Sequence, residues 1–355
     1  MLTVPVAFFI FNRPRLTARI ADAIQAASPS ALYVVADGPR PDVPEDVGLT
    51  AATRAVIDDR DWGCPVHRSY ASANMGCGRR VASGLDWVFE DVEAAIILED
   101  DCLPDPSFFR FCETLLDRYR DDSRVAMVSG TNEAVTWLDG GQDYIFAGHG
   151  SVWGWATWRR AWQGYDFSAA SLDDPTARAA ASEFVGDEEI YQERLYNAER
   201  ARSGAVDTWD YQWTWSRMVH KGLVAVSTRN LISNLGFGPD ATHTTGYDMR
   251  RANLHRHAAP DDLRGPDRVA ADPRYDRHIF ELDRQAITTQ TAIDQAERLL
   301  AAGRAIHALA LLQSQRNRGG GSEQLDTLIA RATDQLRRRP AVLPDGDAVP
   351  DSDRS

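Results

Sequence analysis

An α/β fold on a mainly parallel sheet is the class this sequence predicts, and three observations predict it. Short apolar runs bounded by Gly, Pro, Asn or Asp recur along residues 1–130, stretches of about 10 to 15 residues with helical character separate them, and the positions just after each run are polar. Strands joined by helices of that length need crossover connections, which set neighbouring strands parallel and cover the sheet on both faces.

The elements follow in order. Residues 4–11 form a continuous apolar run closed by Asn12-Arg13-Pro14, and Pro14 opens a helix over 14–27. A strand over 31–36 breaks at Asp37-Gly38-Pro39, a helix covers about 51–59, a strand 66–71, and a helix about 80–89. A strand over 94–98, a helix over about 106–119 and a strand over 125–128 complete the first half. From 131 to about 216 the texture changes to a tryptophan-rich region that holds Trp137, Trp153, Trp155, Trp158, Trp162, Trp209, Trp213 and Trp215. Such residues serve either as flat platforms for sugar rings or as core packing, and the sequence weighs the two evenly.

After about residue 283 helical stretches are predicted over 286–301, 304–315 and 323–339, with breaks at Gly303 and at Gly319-Gly320-Gly321. The pair around Gly303 resembles one tetratricopeptide-type repeat, which cannot bury its own face; self-association through it is an expectation. Residues 340–355 read as a disordered tail. The domain reading is therefore 1–283 as one domain, with a nucleotide-binding half (1–130) and an acceptor half (131–283), followed by a helical appendage (284–339).

Composition narrows the function. With 43% hydrophobic and 26% charged residues in 355, the chain is that of a globular protein. A net charge of −13 offers no basic surplus to displace counterions from nucleic acid. Lys221 is the only lysine among 39 basic residues, a feature without functional weight. The apolar opening run falls far short of the roughly 18 to 20 residues that span a bilayer and has no basic flank, so no transmembrane segment is expected. Cys64, Cys77, Cys102 and Cys112 lack C-x-x-C spacing, which argues against zinc and fits a reducing cytoplasm; the inner membrane face is the alternative location.

In parallel sheets ligands bind at the carboxyl ends of strands, so the residues there carry the functional signal. They are Asn12 and Arg13, then Asp37, then the Asn74-to-Arg80 turn with Gly76 and Gly78, and then Glu99-Asp100-Asp101. An arginine, a lone aspartate, a glycine-rich turn and an acidic triplet on one rim suit a nucleotide diphosphate with a divalent metal. Three adjacent carboxylates repel one another, and oxygen-only ligands suit Mg²⁺ or Mn²⁺. The alternative is that Asp100 and Asp101 are solvated turn residues ahead of Pro104, and the glycines a plain loop into a helix.

On these residues the chain resembles the nucleotide-sugar glycosyltransferases of the GT-A fold, a three-layer α/β/α sandwich. The likeness is to family-2-like bacterial enzymes and to the inverting N-acetylglucosaminyltransferase I type. It rests on Glu99-Asp100-Asp101 followed by Pro106-Ser107-Phe108-Phe109, on Phe11-Asn12-Arg13-Pro14, on Asp37, on the 74–78 turn, on Gly154-Trp155, on Trp209-Asp210 and on the stretch from Asn234 to His243. It spans roughly residues 3–245 and leaves the tail outside.

The resemblance implies a role for each matching position. Asp101 would bind the metal, Glu99 and Asp100 would hold ribose or order the metal's water shell, and Asp37 would accept from the base. Asn12 and Arg13 would sit near the nucleotide, Asn74, Gly76 and Gly78 would admit the donor, and Arg80 would contact phosphate or sugar. Asp210 would be the general base, and His243 would complete the metal shell. Two readings temper this: Asp207 or Thr208 has the look of a helix N-cap, with Asp210 a first-turn acid, and His243 in a Thr-His-Thr loop is equally a surface residue. His149 is read as a flexible loop histidine, with contact to acceptor or donor sugar as the alternative. The implied activity is metal-dependent transfer of a sugar, UDP-linked by preference, to a hydroxyl on a glycan, lipid-linked or protein acceptor. The competing readings are a sugar nucleotidylyltransferase, whose Arg- and Lys-bearing phosphate loop this chain lacks after its first strand, and a non-catalytic glycan- or nucleotide-binding scaffold.

Overall fold

The structure, a computed structural model, describes residues 1–137, 140–236, 251–317 and 322–337. It divides into two compact units, Met1–Glu281 and Leu282–Ser355. The first contains strands β1 (Val6–Ile10), β2 (Leu32–Ala36), β3 (Val66–Tyr70), β4 (Ala94–Glu99), β5 (Cys102–Pro104), β6 (Val125–Ser129), β7 (Tyr144–Ala147), β8 (Trp155–Trp158), β9 (Leu223–Ser227) and β10 (Ile232–Asn234). Its helices are α1 (Pro14–Ala27), α2 (Glu45–Asp58), α3 (Cys77–Asp91), α4 (Ser107–Arg118), α5 (Arg159–Trp162), α6 (Pro175–Val185), α7 (Glu188–Arg202) and α8 (Asp210–Val219).

Eight strands form one sheet in the order β3-β2-β1-β4-β8-β6-β9-β7, and β5 pairs with β10 in a two-stranded sheet. β1 to β4 run parallel. β8 is antiparallel to both β4 and β6, β9 is parallel to β6, and β7 closes the edge antiparallel to β9. The α/β class expected from the sequence is thus the fold observed, with a parallel half and a mixed half. Chain order reverses beside β1, which has β2 on one side and β4 on the other, and this opens a crevice at their carboxyl ends.

Strand burial explains why these runs read as continuous apolar segments: β1, β2 and β6 are buried at every position. Val6, Phe8 and Ile10 with Leu32, Val34, Ile96 and Leu98 share one core with Ile20 and Ile24 of α1 and with Phe108, Phe111 and Leu115 of α4. The opposite face carries α3, where a side chain at Gly84 would collide with Val35 and Phe9. Helices therefore cover both faces, in three layers.

The helix expected over 51–59 starts at Glu45, six residues earlier, because Asp46 is buried and accepts from Asn12 and Arg40. The second unit consists of α9 (Pro273–Ala301), which begins in the first, α10 (Ala305–Asn317) and α11 (Glu323–Arg337). Its core joins Ile293, Ala296 and Leu300 to Ala308, Leu312, Leu325 and Leu328, so a third helix covers the face that the repeat-like pair cannot bury alone. The triple-glycine break and the tail from 340 lie outside the described residues.

Candidate active site

The sheet brings the polar strand ends to one rim. A cavity of about 510 Å³ opens there, lined by Arg13 after β1, Asp37 after β2, Asn74 and Gly76 before α3, the Glu99–Asp101 triplet at the end of β4, and Asp207 to Asp210 at the start of α8. Residues far apart in sequence converge because β1 to β4 are parallel and all end on this side.

The acidic triplet is held from three directions. The Phe11 amide donates to Asp100 Oδ2 at 3.2 Å, and the Arg13 guanidinium reaches Asp101 Oδ2 at 2.8 Å and Asp100 Oδ1 at 3.4 Å. The β5–β10 pair returns the chain beside Asp101, whose carbonyl accepts from the Leu235 amide at 2.8 Å. A Cβ at Gly236 would overlap the Asp101 carboxylate, so a larger residue there has to displace it. Burial, then repulsion from Asp101, Asp100 and Asp210, pushes the Glu99 carboxyl up to about 8 against the pull of Arg13. Burial likewise raises Asp100 to about 7, opposed by Arg13 and the Phe11 amide. Negative charge exceeds what Arg13 neutralises, so this all-oxygen set fits a hard divalent cation. Among the described residues, though, no group of three His, Cys, Asp or Glu side chains is arranged as a ready-made metal shell.

Asp37 accepts from the Gly38 amide at 2.8 Å, the Met75 amide at 2.9 Å and Asn74 Nδ2 at 3.0 Å, and burial lifts its carboxyl above the usual range. It fastens the end of β2 to the turn before α3. Asn74 also donates to the Gly38 carbonyl at 3.0 Å, so its amide works as a loop tie as well as a cavity wall.

Three predicted residues make contacts that the resemblance does not imply. Arg80 lines the cavity but is buried, with its Nε on the Ala36 carbonyl (3.1 Å) and one terminal nitrogen on the Ser69 hydroxyl (2.9 Å) and the Ser69 carbonyl, which ties it to β2 and β3. Asn12 donates to Asp46 at 2.8 Å and is absent from the cavity lining. Gly78 also stands outside the lining, and its amide donates to Asp207. His243 lies outside the described residues.

Asp210 begins α8 and lines the cavity. The Thr208 hydroxyl donates to its Oδ1. Burial raises its pKa, against the Thr208 hydroxyl, nearby backbone amides and the charge of Arg251. The expected N-cap role of Asp207 or Thr208 on α8 is not what occurs: Trp209 is the N-cap, with no side-chain cap bond. Asp207 instead accepts from the Cys77 and Gly78 amides at 2.9 and 3.0 Å and so caps α3, whose own cap position is Gly76. Its sequence signal, an acid three residues before Asp210, pointed to a cap but not to the helix that receives it.

The tryptophans resolve mainly as core. Trp155, Trp158, Trp162, Trp209, Trp213 and Trp215 are buried, and Trp155 stacks on Trp209 with ring centroids 5.4 Å apart. Trp209 and the half-buried Trp153 line the cavity. His149 is no free loop residue: its Nδ1 lies 2.8 Å from an Arg194 nitrogen and its Nε2 3.6 Å from Glu133. Arg40, over the Phe11 ring at 5.5 Å and paired with Asp46, also lines the cavity and was not singled out in the sequence.

No family model and no curated protein matches the chain. Among solved structures, residues 1–349 of TarS from S. aureus are similar at 10% identity and a TM-score of 0.38, covering 94% of this chain and 88% of that one. A UDP-glucose pyrophosphorylase complexed with UDP-glucose is similar at 10% identity and a TM-score of 0.33, covering 70% of this chain and 97% of that one. Both likenesses are distant. Among the described residues, no helix is long and apolar enough to cross a membrane.

Proposed function

We propose that the chain is a GT-A-type glycosyltransferase that moves a sugar from a nucleotide-diphosphate donor, UDP-linked by preference, to a hydroxyl acceptor. The observation that carries the reading is the meeting of Asp37, the acidic triplet and Asp210 around one cavity at the sheet's switch point. Asp37 and Asn74 border the base side, the triplet the diphosphate side, and Asp210 the side from which an acceptor would attack.

Asp101, with Asp100 and Glu99 behind it, would hold Mn²⁺ or Mg²⁺. When bound, the metal supplies positive charge to the diphosphate leaving group. The rest is the work of the chain. Trp153 lines the cavity and would offer its ring to the sugar, and Arg13 brings a guanidinium to the carboxylates that would flank the phosphates. Asp210 takes the proton of the acceptor hydroxyl; that oxygen forms the new bond to the anomeric carbon, and the bond from this carbon to the phosphate oxygen breaks with its electron pair leaving on the diphosphate. The Thr208 hydroxyl, by donating to Oδ1, fixes the orientation of the carboxylate that takes this proton. A raised pKa strengthens the carboxylate as a base. Attack from the face opposite the leaving group inverts the configuration, as in the N-acetylglucosaminyltransferase I type.

The test is a screen of nucleotide sugars for Mn²⁺-dependent hydrolysis. Slow transfer to water identifies the donor before the acceptor is known, and a protein that neither hydrolyses any donor nor binds UDP more tightly with Mn²⁺ is not this enzyme.

A further inference from the structure

We propose that Asp207 is a positioning residue that latches the segment carrying Asp210 to the donor-side turn of residues 74–78, and so sets the separation between donor and base. The inference rests on the glycosyltransferase reading of the cavity. Four observations carry it.

α3 starts without a cap of its own, since Gly76 at φ 81° has no side chain to offer its first amides. The cap comes from a distant part of the chain: Asp207 Oδ2 accepts from Cys77 at 2.9 Å and Oδ1 from Gly78 at 3.0 Å. Both glycines make room for this segment. A Cβ at Gly76 would lie 2.5 Å from Asp207 Oδ2, and one at Gly78 would lie 2.7 Å from the Thr208 carbonyl oxygen. The glycines that the sequence assigns to donor approach are thus required, in the structure, by Asp207 and Thr208.

Each end of the latch is fastened to a proposed functional group. On the donor side, Asn74 and the Met75 amide both bond Asp37. On the base side, the Thr208 hydroxyl donates to Asp210, Gln212 donates to the Thr208 carbonyl at 3.1 Å, and Tyr165 donates to the Trp209 carbonyl at 3.2 Å. A run of hydrogen bonds therefore links Asp37, the 74–78 turn, Asp207 and Asp210. Asp207 itself is exposed at the cavity edge, so it is no core anchor, and its removal leaves the packing beneath intact.

Hydrogen–deuterium exchange on the full chain tests the latch directly, for Asp207→Ala, Asp207→Asn and Gly78→Ala. Asp207→Ala is expected to speed exchange about tenfold or more both at the start of α3 and over residues 208–213. Gly78→Ala does the same with the carboxylate still present, and Asp207→Asn, which keeps one acceptor oxygen, falls between. Acceleration confined to α3 reduces Asp207 to a local cap and overturns the proposal. In hydrolysis of UDP-glucose, UDP-galactose or UDP-N-acetylglucosamine, Asp207→Ala lowers kcat about 10- to 100-fold while KM and UDP affinity change less than about threefold. A loss that falls on KM alone also overturns it. Asp210→Asn separates the two claims. If that variant is inactive while Asp207→Ala turns over normally, the latch fails and the base stands; if it turns over normally, the base reading fails and the exchange result still decides the latch.

Discussion

Arg13 donates to Asp101 at 2.8 Å, so the chain carries its own cation against the carboxylate proposed to bind metal. The two cations differ in what they do. A guanidinium can neutralise Asp101 but cannot gather several oxygens around a point charge, whereas Mg²⁺ or Mn²⁺ does so through carboxylates and substrate phosphates together. Asp101→Ala is therefore expected to remove the Mn²⁺ enhancement of UDP binding, by about tenfold or more in Kd on calorimetry, in a protein that still folds. UDP binding that Mn²⁺ strengthens as well in the variant as in wild type would place the metal elsewhere or nowhere.

Glu99 makes the metal-free protein sensitive to pH. Its folded pKa, about 8, lies above its ordinary value of 4.5, so the protonated form favours the fold. That contribution is whole below about pH 4.5 and is lost as pH rises through 8. Asp100, at about 7, acts in the same sense. With metal chelated, melting temperature is expected to fall from pH 5 to pH 9, at a slope of at most about 1.4 kcal/mol per pH unit for each proton released. Glu99→Gln should flatten the slope and raise stability near pH 8. A melting curve equally steep in the variant would mean that the titrating group is another.

Gly236 tests whether the approach of β10 to the triplet matters. A Cβ at this position would overlap the Asp101 carboxylate, which is itself held by Arg13. Gly236→Ala is expected to displace Asp101 at a cost in stability of about 1 to 3 kcal/mol. It should weaken UDP binding in Mn²⁺ more than in chelator. Equal weakening in both would point to general distortion of the cavity.

Among the described residues, those that line the cavity all lie at or before Gly236, upstream of the second unit. A chain of residues 1–283 retains the first turns of α9, including the buried Tyr275, Ile279 and Phe280. It is expected to bind UDP with unchanged affinity. Loss of binding in a folded truncation would show that residues beyond 283 complete the site.

The rim residues were legible in the sequence for a physical reason: a strand buried on both faces must be apolar throughout, so the polar residue that follows it stands out. That is how Asp37 and the Glu99–Asp101 triplet are found. Contacts made across the chain leave no such mark. That the Arg80 guanidinium, besides lining the cavity, is tied to β2 and β3 could not be read from the sequence around it. Asp207 has the sequence signature of a cap, but nothing local says that it caps α3, a helix that begins about 130 residues earlier. The tryptophans illustrate the same limit: flat sugar platforms and stacked core rings have one composition, and only burial separates Trp155 and Trp213 from Trp153.

Asp210→Asn decides between a base and a helix-end acid. As a first-turn acid of α8, Asp210 would contribute about 0.3 to 1 kcal/mol through the helix dipole, and its loss would leave an active, slightly less stable protein. As a general base it contributes about 10² to 10⁴ in rate, or roughly 3 to 5 kcal/mol of barrier. Asparagine keeps an oxygen for the Thr208 hydroxyl but has no carboxylate to take a proton. Burial already disfavours the charge at this site, so removing it should leave stability near neutral pH unchanged or improved. The base reading therefore expects turnover to fall by at least about a hundredfold, UDP affinity to hold, and melting temperature to stay level or rise. Near-normal transfer by this variant, measured with the donor that the hydrolysis screen identifies, would remove Asp210 from the chemistry and leave Asp207, the other carboxylate of the same segment on the cavity wall, as the next base to test.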